Sequence, residues 1–228
     1  MKKPSALYAA LPRTIPVFFG YISIGIAYGF LLVKTGLPWF WAPIMSIVIF
    51  AGAAQFLALG LLSAGTPPLQ MALAVFLLNA RHMVYGFSLL DRYSRFKRWK
   101  LYLIFGLTDE TYALLTTIDP PEGVDPENFD AAVTMLNQLW WTLGSTIGAL
   151  FGSVIGWDAP GLDFALTALF VVLLVEQVKS IRRPGPFLIA LSVSAGLMIL
   201  GFGESILLVG IIVASGAVFF LKEQKGKA

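Results

Sequence analysis

Thr14-Ile-Pro-Val-Phe-Phe-Gly-Tyr-Ile-Ser-Ile-Gly-Ile-Ala-Tyr-Gly-Phe-Leu-Leu-Val33 lies between Arg13 and Lys34 without a charged residue. As a helix rising about 1.5 Å per residue, it spans about 30 Å, the thickness of a bilayer's hydrocarbon core. The basic start, Met1-Lys2-Lys3, resembles that of a signal peptide. The apolar run is longer than the h-region of about 7–15 residues, and no clear small-residue cleavage site follows. It therefore reads as a retained first membrane helix.

Further apolar segments follow at Pro43–Ala64, Pro68–Leu90, Leu101–Thr117, Ala131–Ile155, Phe164–Val178, Pro186–Gly201 and Ser205–Leu221. Their runs are continuous, without the period-two alternation of barrel strands, so helices are expected. The fold expected is all-α: a polytopic membrane bundle of about 7–8 hydrophobic segments, treated as one transmembrane transporter domain over 1–228, with tails at 1–13 and 222–228. Of the 228 residues, 57% are hydrophobic and 13% charged. Soluble domains carry about 25% charged residues, so this chain has too few to cover a watery surface. The tryptophans Trp39, Trp41, Trp99 and Trp157 lie near segment ends, as interfacial anchors do, and Trp140 and Trp141 are read with them.

Positive charge gathers at Lys2–Arg13, Arg92–Lys100, Lys179–Arg183 and Lys222–Lys227. The positive-inside tendency puts all four on the cytoplasmic side. Eight simple spans do not satisfy this, because an odd number of segments separates the first three clusters. Either a segment is broken or re-entrant, the candidates being Asn79–His82 and Thr108–Glu110, or the charge rule fails locally. Glycine spacing hints at duplication. Gly25 and Gly29, moved by 119 positions, land on Gly144 and Gly148 of a ladder continued by Gly152 and Gly156. Such small-residue faces bring helices close together; packing alone explains them equally well.

Charge in a bilayer core costs at least about 2.5–3.5 kcal/mol per residue, so such groups are candidate functional sites. Arg81 and His82 fall within the third segment, Asp109 and Glu110 within the fourth. A zwitterion needs a cation for its carboxylate and an anion for its ammonium. Arg81 suits the first through paired hydrogen bonds, and Asp109 or Glu110 the second. The equal alternative is that Arg81 and a carboxylate hold helices together as a structural pair. Asn79 and Gln55 need hydrogen bonds, and Tyr85 shares a helical face with Arg81 and His82; Asn79, Gln55 and Tyr85 all join the substrate-binding candidates. His82 is a candidate proton carrier, or a neutral histidine donating to a carbonyl.

The absence of cysteine and the single histidine exclude disulfides, thiolate sites and multi-histidine metal sites. The net charge of +3 fits loops facing anionic lipid and is no nucleic-acid footprint. No serine sits in a G-x-S-x-G pattern, and no phosphate-binding loop occurs. The chain is thus expected to be no enzyme and to use no cofactor or metal. The classes left are a transporter, a channel or exporter for another small solute, and a scaffold subunit of a transport complex.

Three stretches in order, Phe50-Ala-Gly-Ala-Ala-Gln-Phe56, Asn79-Ala-Arg-His-Met-Val-Tyr-Gly86 and Thr108-Asp-Glu-Thr-Tyr112, resemble the AzlC family, also called the YgaZ family. That resemblance extends over most of 14–180. It implies the large subunit of a branched-chain amino acid exporter in a bacterial inner membrane. It also implies a small hydrophobic membrane partner of the AzlD or YgaH type.

Overall fold

The computed structural model describes residues 5–154, 171, 175, 184–201, 209–210 and 213. Those residues form helices and their connections, with no strand among them. The helices are α1 (Ala6–Lys34), α2 (Trp41–Val48), α3 (Gly52–Ser63), α4 (Pro68–Ser88), α5 (Leu90–Ser94), α6 (Lys100–Phe105), α7 (Asp109–Thr117), α8 (Pro126–Val154) and α9 (Pro184–Ile199). The all-α class read from the sequence is the class observed. The chain divides into two compact units, Met1–Leu62 with Leu78–Ala159, and Ser63–Leu77 with Pro160–Ala228. The first contains every group discussed below.

Helix α1 begins at Ala6, ahead of the apolar run starting at Thr14. Among the described residues it is the one helix both long and apolar enough to cross a membrane by itself. Helices α4 and α8 have comparable length but carry polar groups in their interiors, Asn79 and Arg81 in one and Asn137 and Gln138 in the other. Large apolar side chains point outward, among them Phe19, Phe87 and Leu101 (66%, 71% and 84% exposed). Single exposed apolar residues are ordinary on soluble proteins; a surface this rich in them suits lipid as solvent.

Helices α1 and α8 pack backbone to backbone. A Cβ at Gly25 would stand 2.9 Å from the Ser145 amide nitrogen, and one at Gly144 would stand 2.8 Å from the Tyr21 carbonyl oxygen. At Gly29 and Gly148 it would run into the backbone of Ser145 and of Ile26. Positions rise together along both helices, so the two run parallel. The 119-residue offset that aligned the glycines carries the bounds of α1 to within one residue of those of α8. Gly156 lies outside the described residues, as does most of the sixth segment, onto which the same offset carries the second.

Two segments are interrupted. The second breaks between α2 and α3, where Phe50 adopts a left-handed φ of 44°. A non-glycine residue pays about 1–2 kcal/mol for that conformation. The fourth breaks between α6 and α7, at Gly106–Thr108. The breaks adjoin: the Phe50 ring comes to 3.7 Å from where a Gly106 Cβ would be, and Thr134 of α8 fills the space beside it. Breaking a helix frees backbone groups that lipid cannot satisfy. Gln138 Nε2 donates to the Ile47 carbonyl at the first break (3.0 Å), while its Oε1 accepts from the Tyr102 hydroxyl of α6 (2.7 Å).

Of the two polar stretches proposed as breaks, Thr108–Glu110 adjoins one and Asn79–His82 does not. Helix α4 continues through the latter. Its polar side chains leave the helix axis sideways and do not compete for the backbone bonds. The unforeseen break at Phe50 follows an apolar stretch with no polar signal.

Beyond α4, the Arg92 guanidinium ties α5 to two other helices. It donates to the Leu115 carbonyl of α7 (2.7 Å) and to the fully buried Asp130 of α8. Burial, with the Asp130 carboxylate beside it, holds the Tyr93 phenol above its ordinary value. Leu103, Leu115, Phe129 and Val133 fill the apolar core around this junction.

Replacing Gly148 by Leu is expected to destabilise the detergent-solubilised protein by about 3 kcal/mol, as overpacking does where neither backbone can yield. Gly60→Ala, at a position whose Cβ would meet nothing within 4 Å, is the control and is expected to melt at or above the wild-type temperature.

Candidate functional site

The break before α7 supplies the start of the site. Thr108 caps the helix, its hydroxyl oxygen accepting from the Thr111 amide at 3.2 Å. That cap places Asp109 and Glu110 in the first turn, where the helix dipole favours negative charge. Neighbours in sequence diverge in space on a helix, and the two carboxylates take different partners.

Asp109 turns to α4. Its Oδ2 lies 3.0 Å from Arg81 Nη1, and its Oδ1 accepts from the Tyr85 hydroxyl at 2.8 Å. Arg81 and Tyr85 are four apart, so one helical face presents both. Tyr85 stacks on Tyr112, with centroids 4.4 Å apart and planes within 10°, and Ser88 Oγ donates to the Tyr112 hydroxyl. His82 lies beside Tyr85, ring centroids 5.8 Å apart. The pair is only partly enclosed, with side-chain exposures of 26% for Arg81 and 36% for Asp109. Arg81 Nε and Asn79 Oδ1 are buried without a hydrogen-bond partner among the described residues.

Glu110 turns to α1 instead. The Tyr21 hydroxyl donates to Glu110 Oε2 at 2.7 Å and lies 2.8 Å from Thr108 Oγ1. Thr108 Oγ1 in turn bonds Thr111 Oγ1, which accepts from Asn137 Nδ2 of α8 at 3.0 Å. A run of hydrogen-bonded side chains thus leads from Glu110 into the buried core. It ends at Asn137, whose Oδ1 is buried and has no partner among the described residues.

Gln55 belongs to a second cluster. Its Oε1 accepts from the Trp141 indole at 2.9 Å, and its Nε2 is buried without a partner. Trp141 stacks on Tyr28 and meets Phe56 edge-on. It also covers Gly52, where a Cβ would stand 3.1 Å from its ring. The stretch Phe50–Phe56 is therefore a helix start built around one tryptophan. No hydrogen bond among the described residues joins Gln55 to the Arg81–Asp109 pair; the clusters touch through the Tyr21–Trp141 ring contact.

The structure thus brings together Arg81, Asp109 and Tyr85, with Glu110 adjoining and His82 alongside. Asn79 lies on the same helix, and Gln55 stands apart. Sequence reasoning missed Tyr21, Thr111 and Asn137, took Thr108 only as part of a break, and read Trp141 as an interfacial anchor where the structure buries it within α8. Asn137 carried the signal that flagged Arg81, a polar group inside an apolar segment. Tyr21 carried none, since a tyrosine is unremarkable in a membrane helix.

Replacing Tyr85 by Phe keeps the stack on Tyr112 and removes one bond to Asp109. The expected loss is about 1 kcal/mol in thermal unfolding, with Tyr85→Ala losing more because the stack goes as well.

The family model described as AzlC protein matches residues 16–155. The branched-chain amino acid transport protein AzlC of Bacillus subtilis strain 168 is 37% identical over 232 aligned residues, covering 100% of this chain and 91% of that protein. A membrane protein of Helicobacter pylori strain ATCC 700392 / 26695 is 37% identical, covering 94% of each chain. The inner membrane protein YgaZ of Escherichia coli K12 is 32% identical, covering 73% of this chain and 71% of its own. No solved structure matches the chain. With the family model covering more than half its length and a full-length relative above 30% identity, the chain belongs to the AzlC family.

Proposed function

We propose that this protein is a multi-pass transporter of the bacterial inner membrane that exports branched-chain or other apolar amino acids. In this reading the whole chain acts as one transport domain and works with a small hydrophobic membrane subunit of the AzlD or YgaH type. It is not an enzyme. The name of the Bacillus relative, a branched-chain amino acid transport protein, supports the substrate class.

The observation that carries the reading is the Arg81–Asp109 pair beside Glu110, at the start of a helix that begins from a break. Polar substrates cross lipid where interrupted helices offer free backbone ends and a few charges. Arg81 meets the substrate carboxylate, exchanging Asp109 for it, and Asp109 or Glu110 meets the ammonium. Tyr85 steers Asp109 during that exchange. Asn79, one turn from Met83 and two positions from Arg81, adds a neutral polar group, and Gln55 serves the neighbouring cluster. His82 carries the coupling proton.

Arg81→Ala is expected to abolish leucine export from cells expressing the protein with its small subunit, at unchanged membrane abundance. Arg81→Lys should not restore it, because a lysine lacks the planar fork that grips a carboxylate. Unchanged efflux in Arg81→Ala would remove Arg81 from the site. For coupling, export in wild-type vesicles should rise with an imposed pH gradient and that dependence should vanish in His82→Gln. A gradient response that survives the substitution assigns the proton elsewhere.

A further inference from the structure

A groove of about 370 Å³ opens between α1 and α7, on the Glu110 side of the site. Pro16, Val17, Gly20 and Ile24 form one wall, and Leu114 and Thr117 belong to the other. On each helix these positions recur at three- or four-residue spacing, so each wall is one helical face. Glu110 is the one charged residue among the described residues that line it.

Three features identify what the groove takes. First, Glu110 accepts from Tyr21 but pairs with no cation among the described residues, whereas both oxygens of Asp109 are engaged. A carboxylate at the border of an apolar groove matches a ligand with an ammonium next to an aliphatic chain. A bare acyl chain would leave that charge unanswered, and a phosphate would be repelled by it. Second, the volume falls at the lower end of the range typical of small-molecule pockets. Third, Gly20 has no packing reason to be glycine. A Cβ there would meet nothing within 4 Å among the described residues, whereas at Gly25 and Gly29 of the same helix it would strike α8. Gly60 of α3 is equally free of contacts, but Gly20 lies in the wall of the groove. Here the missing side chain leaves the groove open.

We propose that this groove is the side-chain subsite for the transported amino acid, that Glu110 holds the ammonium, and that Gly20 sets the longest side chain admitted. The proposal rests on the transport reading above and specifies which face of the site the substrate occupies.

The test uses the protein co-reconstituted with its small subunit in phosphatidylglycerol vesicles, whose lipid carries no amine. Radiolabelled leucine is displaced by alanine, valine, isoleucine, 3-methylbutylamine and 4-methylpentanoate. Wild type should bind leucine and release it to 3-methylbutylamine, which keeps the chain and the ammonium, far more readily than to 4-methylpentanoate. Gly20→Leu should weaken leucine and isoleucine about 10-fold or more while changing alanine little, the scale on which a pocket discriminates single methylenes. Gly20→Ala should fall between. Glu110→Gln should end displacement by 3-methylbutylamine. Glycine variants that leave the leucine-to-alanine ratio unchanged, or a Glu110→Gln protein still emptied by the amine, overturn the subsite while leaving the transport reading intact. A wild-type protein that binds none of these amino acids removes both.

Discussion

The approach of α1 to α8 governs the rest of the described site. Where Gly25 and Gly29 meet Gly144 and Gly148, no side chain separates the two backbones. Lipid offers little hydrophobic drive for helices to associate, so close packing and polar contacts must hold them. This contact supplies both: besides the glycine face, the Trp140 indole of α8 donates to Thr14 Oγ1 of α1 at 3.3 Å. It also sets the height of Tyr21, on the same helix, against α7 and against Trp141. A shift of one turn along this interface would withdraw the Tyr21 hydroxyl from Glu110 and Thr108.

A second constraint follows from the solvent. In lipid every backbone N–H and C=O needs a protein partner, so a broken helix is tolerated only where side chains replace the lost bonds. The two breaks share that burden by lying together. Gln138 serves the end of α2 and reaches α6 as well, and Thr108 caps α7. A chain that maintains two such interruptions in one place gains free helix ends, which are what a charged substrate can use in a bilayer. The Arg81–Asp109 pair and Glu110 gather at one of those ends.

The motifs divide the labour. Phe50–Phe56 builds a break and a seat for Trp141, so its role in the described residues is architectural. Asn79–Gly86 and Thr108–Tyr112 meet across α4 and α7 and form the charged centre. The pairing of Arg81 with Asp109 agrees equally with a structural pair and with a substrate gate. Both groups are partly exposed, and the neighbouring Glu110 pairs with no cation among the described residues.

Composition and continuous apolar runs were enough to establish a helical membrane chain, because lipid excludes almost every other architecture. The cost of charge in that medium singled out Arg81, Asp109 and Glu110 residue by residue. The glycine spacing pointed to a close helix contact without naming the partner helix. Which carboxylate Arg81 takes was decided only by folding, since Asp109 and Glu110 are adjacent in sequence and project from α7 in different directions. Likewise the break at Phe50 and the reach of Tyr21 to Glu110 depend on contacts between helices far apart in the chain. Local sequence sets what each segment can bury, and the packing of segments against one another sets which polar groups meet.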